Sequence, residues 1–91
     1  MGLFGSTKKK VSKLEFKQVR TLLHHKGFSS REIDEVEMIF RADLNEPSQY
    51  EQGIDANEID RGIKWMKSNK RSHFLSEGKI EILEDVLRGK L

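Results

Sequence analysis

Residues 54–59 read Ile-Asp-Ala-Asn-Glu-Ile, and the order of those side chains decides the fold. A helix leaves its first backbone N–H groups without partners, and an Asp just before it can accept from one of them. Glu58, three residues after Asp55, can reach back to the Asp55 N–H, so the two form a capping box. Ile54 and Ile59 bracket that box at the spacing of a hydrophobic staple, which sets the angle at which the chain enters the helix. The same grammar recurs at Val11-Ser12-Lys13-Leu14-Glu15-Phe16, at Phe28-Ser29-Ser30-Arg31-Glu32-Ile33 and at Leu75-Ser76-Glu77-Gly78-Lys79-Ile80, the last with Lys79 where the others have glutamate. Four helices are therefore expected to begin near Ser12, Ser29, Asp55 and Ser76.

Each start is followed by apolar residues at helical spacing. Phe16, Val19, Leu22 and Leu23 form a first stripe that ends near Lys26, with Gly27 suited to a left-handed terminal residue. Ile33, Val36, Ile39 and Phe40 form a second that runs to about Asp43 or Leu44, where Asn45, Pro47 and Ser48 break it. Ile59, Ile63 and Met66 form a third, and Ile80, Leu83, Val86 and Leu87 a fourth ending at Gly89. All four stripes are expected in the core. The short links make sequential helices neighbours, so the expected fold class is all-α, with four short helices arranged as two angled helical hairpins.

The chain of 91 residues has material for one core and too little for two domains, so residues 11–91 are expected to form a single domain behind a basic tail at 1–10. There is no cysteine, which excludes disulfides and thiolate metal sites. No apolar run approaches membrane-spanning length and no secretory signal is visible, so a cytoplasmic location is expected. The net charge of +2 conceals segregated blocks. Residues 1–26 carry seven Lys or Arg against Glu15 alone, residues 27–60 carry ten acids against two Arg, and residues 61–74 carry five cations and no acid. Two readings of these blocks stand side by side: mutual neutralisation across helix contacts, or a basic binding face.

From Ser29 to Met66 the chain resembles an EF-hand. Phe40-Arg41-Ala42-Asp43 matches the end of an incoming helix, and Gly53-Ile54-Asp55-Ala56-Asn57-Glu58-Ile59 matches the end of its loop. Four helices with this cap grammar also resemble a paired EF-hand lobe. The resemblance implies that Ile54 is a pairing residue, that Asp55 is an indirect ligand and that Glu58 is the bidentate one. A calcium-binding variant would draw on Asp43, Asn45, Asp55 and Glu58. The pattern departs from the family's twelve-residue loop, because counting back eleven from Glu58 reaches Pro47 and starting at Asp43 makes the segment sixteen residues long. The expectation is a degenerate unit that needs no cofactor.

Other constellations are sparse. His24, His25 and His73 are expected to be exposed, and adjacent helical histidines point about 100° apart, too far to chelate one ion. No serine–histidine–acid set, phosphate loop or zinc spacing occurs, so no enzyme is expected. Met1-Gly2-Leu3-Phe4-Gly5-Ser6 matches the pattern for N-terminal acylation at Gly2, which together with Lys8-Lys9-Lys10 would attach the chain to a membrane. The leading expectation is a small interaction module that accepts a protein partner, with Met38, Trp65 and Phe74 as contact residues because each lies beside a stripe or in a loop. The alternative is binding to nucleic acid or an anionic membrane through Lys8, Lys9, Lys10, Arg61, Lys64, Lys67, Lys70 and Arg71.

Overall fold

The computed structural model describes residues 9–47 and 52–91. The elements run α1 (Lys13–His25), α2 (Ser30–Ile39), α3 (Arg41–Leu44), α4 (Ala56–Ser68), a single 3-10 turn (Lys70–Ser72) and α5 (Glu77–Arg88). Ser12, Ser29, Asp55 and Ser76 are the N-caps of α1, α2, α4 and α5. In the first three, the bonds run both ways. The Glu58 N–H donates to Asp55 at 2.8 Å and the Asp55 N–H donates to Glu58 at 2.9 Å, and the Ser12–Glu15 and Ser29–Glu32 pairs do the same. Ser76 accepts from the Lys79 N–H at 3.2 Å with no bond in return, since lysine has no acceptor. Each such cap contributes about 1 kcal/mol.

The apolar residue before each cap is buried as well: Val11, Phe28, Ile54 and Leu75 all join the core with the helix stripes. Val11 and Ile54 do more than pack. They exchange two backbone bonds, Val11 N–H to the Ile54 carbonyl at 2.8 Å and Ile54 N–H to the Val11 carbonyl at 3.0 Å. Gly53 takes φ +112° beside this bridge, where a Cβ would lie 2.9 Å from the Val11 carbonyl oxygen. At the other end of α1, Gly27 (φ +96°) closes a Schellman motif, its N–H bonded to His24 and that of Phe28 to Leu23.

α1 packs on α2 and α4 on α5, while α5 also lies against α1 and joins the two pairs. One ion pair follows these contacts, Arg88 of α5 with Asp60 of α4, and another, Lys79 of α5 with Glu32, ties α5 to α2 as well. No helix among the described residues is long and apolar enough to cross a membrane.

Three expectations are corrected. The single second helix is two, because at Phe40 the backbone leaves helical geometry (φ −100°, ψ 9°) between α2 and α3. There its ring closes against Gly62 of α4, where an added Cβ would stand 2.5 Å from the ring. Leu22 is partly exposed beside the buried stripe of Phe16, Val19 and Leu23. His73 is buried, because its Nε2 lies 2.6 Å from the Met66 carbonyl and its Nδ1 accepts from the Leu75 N–H at 3.1 Å.

Gly62 and Gly78 should respond oppositely to alanine. Gly62→Ala overpacks the Phe40 ring, a clash whose usual cost of about 1–3 kcal/mol exceeds the gain in helix propensity. Gly78→Ala, with nothing within 4 Å of the new Cβ, should stabilise by about 0.5 kcal/mol. Urea denaturation of both variants checks the pair.

Candidate functional site

The break at Phe40 and the missing side chain at Gly62 shape a groove between α2–α3 and α4. It encloses about 520 Å³ and is lined on one side by Met38, Ile39 and Asp43 and on the other by Glu58, Arg61 and Trp65. Phe40 forms its floor against Gly62, and His73 and Ser72 reach it from the 3-10 turn. The Trp65 and His73 rings lie 6.2 Å apart and tilted by 44°.

Most large apolar side chains are in the core, but Met38 is 62% exposed, Trp65 43% and Phe74 64%, as are Leu14 (70%) and Leu22 (38%) on α1, away from the groove. Met38 and Trp65 both line the groove. Phe74 sits beyond its end, where its N–H donates to Glu35 at 2.8 Å and the Arg31 guanidinium stacks 4.5 Å from its ring centre. The structure thus brings Met38 and Trp65 to one surface, with Phe74 one residue beyond the lining residue His73.

The basic residues do not form one surface. Lys8 and the sequence at Met1–Ser6 lie outside the described residues. Lys9 and Lys10 precede the bridge at Val11, with the Lys10 Cβ beside Gly53 at the start of α4. Lys70 and Arg71 lie past the far end of that helix, about 20 Å away at 1.5 Å per residue. Lys70 pairs with Glu77. Arg61 lines the groove, Lys67 acts on the Glu77 carboxylate from the α5 side, and Lys64 is exposed between those faces. Arg61, Lys64, Lys67 and Arg71 have no ion-pair partner among the described residues. The acids of α2 are engaged elsewhere: Asp34 and Glu37 by Arg20 at 2.8 and 2.6 Å, Glu32 by Lys79, and Glu35 by the Phe74 N–H. Among the described residues, no acid of α2 forms an ion pair with a cation of α4.

Of the four ligand candidates, Asp43 and Glu58 converge in the groove. Asp55 caps α4, and the Asn45 amide is turned to the Arg41 carbonyl at 3.1 Å. Among the described residues, no group of three or more His, Asp or Glu side chains is placed to hold a metal ion. Burial pushes the Glu58 carboxyl above the ordinary range, and the Asp43 carboxyl within hydrogen-bonding reach adds to this, against the lowering effect of the Asp55 N–H. The cap glutamates behave oppositely. Bonds from Ser12 lower Glu15, and Lys79 followed by Ser29 lowers Glu32.

Gly62, Phe40 and His73 were not singled out as site residues from sequence. A glycine in the middle of a strong amphipathic helix was the available clue, since such a residue marks a close approach. No family model matches the chain, and neither a curated protein nor a solved structure matches it.

Two measurements probe this site. A raised folded value means that Glu58 favours the fold at low pH and that this contribution is lost as pH rises from the ordinary carboxylate range through the folded value. Glu58→Gln keeps an acceptor for the Asp55 N–H and removes the repulsion from Asp43, so stability at pH 7 should stay within about 0.5 kcal/mol or rise. Glu32→Gln, which weakens a charge-assisted pair whose benefit is present above the ordinary range, should cost about 1 kcal/mol at pH 7 and less at pH 4. Urea melts at the two pH values compare them. Thermal melts in millimolar calcium and in excess chelator should overlay, because an ion bound to the folded state would raise the midpoint.

Proposed function

We propose that the chain is a small, non-enzymatic protein-interaction module that works without a metal, built as a degenerate EF-hand-like lobe. Its site is the groove between α2–α3 and α4, which receives the apolar face of a partner helix. The observation that carries this reading is the exposure of Met38 and Trp65 together on one 520 Å³ groove floored by an aromatic ring. Grooves of this kind take helices through anchors at i, i+3 or i+4 and i+7. The EF-hand-like part rests on the Ile54–Val11 bridge, the place where the resemblance puts a pairing residue.

A second reading draws on the unpaired cations Arg61, Lys64, Lys67 and Arg71. On that reading these cations, from the groove-lining Arg61 through the exposed Lys64 and Lys67 to Arg71, meet a polyanion, and the affinity falls linearly with the logarithm of salt.

A displayed library of helical peptides selected on this chain should enrich apolar residues at i, i+3 or i+4 and i+7. Met38→Asp, at an exposed position, should leave folding intact and weaken the selected peptides at least tenfold, about 1.4 kcal/mol. Selection without that pattern, or binding indifferent to Met38→Asp, would defeat the groove reading. For the second reading, Lys64→Gln with Lys67→Gln should change stability by only about 0.5 kcal/mol each while weakening oligonucleotide or anionic-vesicle binding at low salt.

A further inference from the structure

The groove has two chemically different ends. At one, Asp43 from α3 and Glu58 from α4 bring two carboxyl groups together. At the other stands Trp65, with the Glu35 carboxylate already accepting the Phe74 N–H. Between them lie Met38 and the Phe40 ring. Of the charged groups in the lining, three are acidic and only Arg61 is a Lys or Arg.

A carboxyl pair of this kind is a poor neighbour for a third acid and a good one for a cation. Two carboxylates side by side repel. An ammonium or guanidinium placed between them relieves the repulsion and gives each oxygen a charge-assisted partner. Distance sets where that cation belongs on the occupant. Glu58 and Trp65 are seven residues apart on α4, about 10 Å or two turns. A helix lying along α4 repeats that spacing between its own residues i and i+7. Arg61, one turn from Glu58, can pair with a flanking acid of the same helix, so the match favours a single cation at one end.

Resting on the groove reading above, and from this charge complementarity, we propose that the partner is a basic amphipathic helix. Its apolar anchors sit on Met38, Phe40 and Trp65, and a Lys or Arg two turns away enters between Asp43 and Glu58.

Three fourteen-residue helical peptides test this, with identical leucine faces and Lys, Gln or Glu at the position two turns from the first anchor. None contains tryptophan, so the fluorescence of Trp65, the only tryptophan in the chain, reports binding. The Lys peptide should bind about tenfold tighter than the Gln peptide, and the Glu peptide weaker than both. In the Asp43→Asn/Glu58→Gln double variant the Lys preference should vanish while the Gln peptide still binds. Met38→Asp should weaken all three.

Equal or tighter binding of the Gln or Glu peptide, still lost in Met38→Asp, would overturn the basic partner and leave the groove reading standing. Binding of all three that ignores Met38→Asp would overturn the groove reading itself. A Lys preference surviving in the double variant would seat the cation elsewhere and overturn the proposal. So would self-association of the chain abolished by Met38→Asp, which makes a second copy the occupant. Tighter peptide binding in Leu3→Ser/Phe4→Ser would assign the groove to the chain's own leading residues, with the same consequence.

Discussion

Two backbone hydrogen bonds between Val11 and Ile54 hold the starts of α1 and α4 together, and the rest of the architecture is hung from that bridge. Both residues are fully buried, so the bonds form away from water, where an unmade one is expensive. Each residue immediately precedes an N-cap, so fixing the bridge fixes where two helices begin and the direction in which each enters. Gly53 makes the approach feasible, because its left-handed backbone and missing side chain let the two segments come within bonding distance. The Gly53 N–H then bonds to the Asp43 carbonyl at 2.8 Å, which ties the end of α3 to the same point.

From this anchor α4 runs back along the core while α5 closes over α4 and α1. The groove opens on the side that α5 does not cover. Its walls belong to elements anchored at the bridge end, α3 through Gly53 and α4 through Asp55, so Asp43 and Glu58 are the most firmly positioned of its charged residues. Met38 and Trp65 lie further along, where the walls rest on the contact between Phe40 and Gly62.

What was legible in the sequence is what is decided within four or five residues. A cap, its return glutamate and its staple are all local, so Ser12, Ser29, Asp55 and Ser76 could be placed before any tertiary contact was known. The stripes were legible for the same reason, since helical spacing alone sorts Ile59, Ile63 and Met66 inward and Lys64 outward. The rest depends on contacts between distant residues. Nothing near Phe40 announces that Gly62, twenty-two residues later, will receive its ring, so the break between α2 and α3 was unreadable. His73 looked like a loop histidine because its partners, the Met66 carbonyl and the Leu75 N–H, are supplied by the path of the turn. The charge blocks showed that acids and bases were segregated, but which block faced which was settled by packing, with Arg20 and Lys79 reaching the acids of α2.

Several of the places where local rules fail lie together. A glycine in mid-helix, a helix interrupted at an aromatic residue, an exposed methionine and tryptophan, and two carboxyl groups that converge all lie on the α2–α3 and α4 walls of one groove. Elsewhere, apart from the exposed Leu14 and Leu22 of α1, cap, stripe and turn chemistry agree, which is the signature of a sequence shaped mainly for folding. Alanine at position 62, or a polar residue at 38, would suit an isolated α4 or an exposed turn of α2 better than what is present. A surface that departs from such choices repeatedly, in one place, and in ways that create an apolar concavity ending in negative charge, is better explained by what it holds than by what it stabilises.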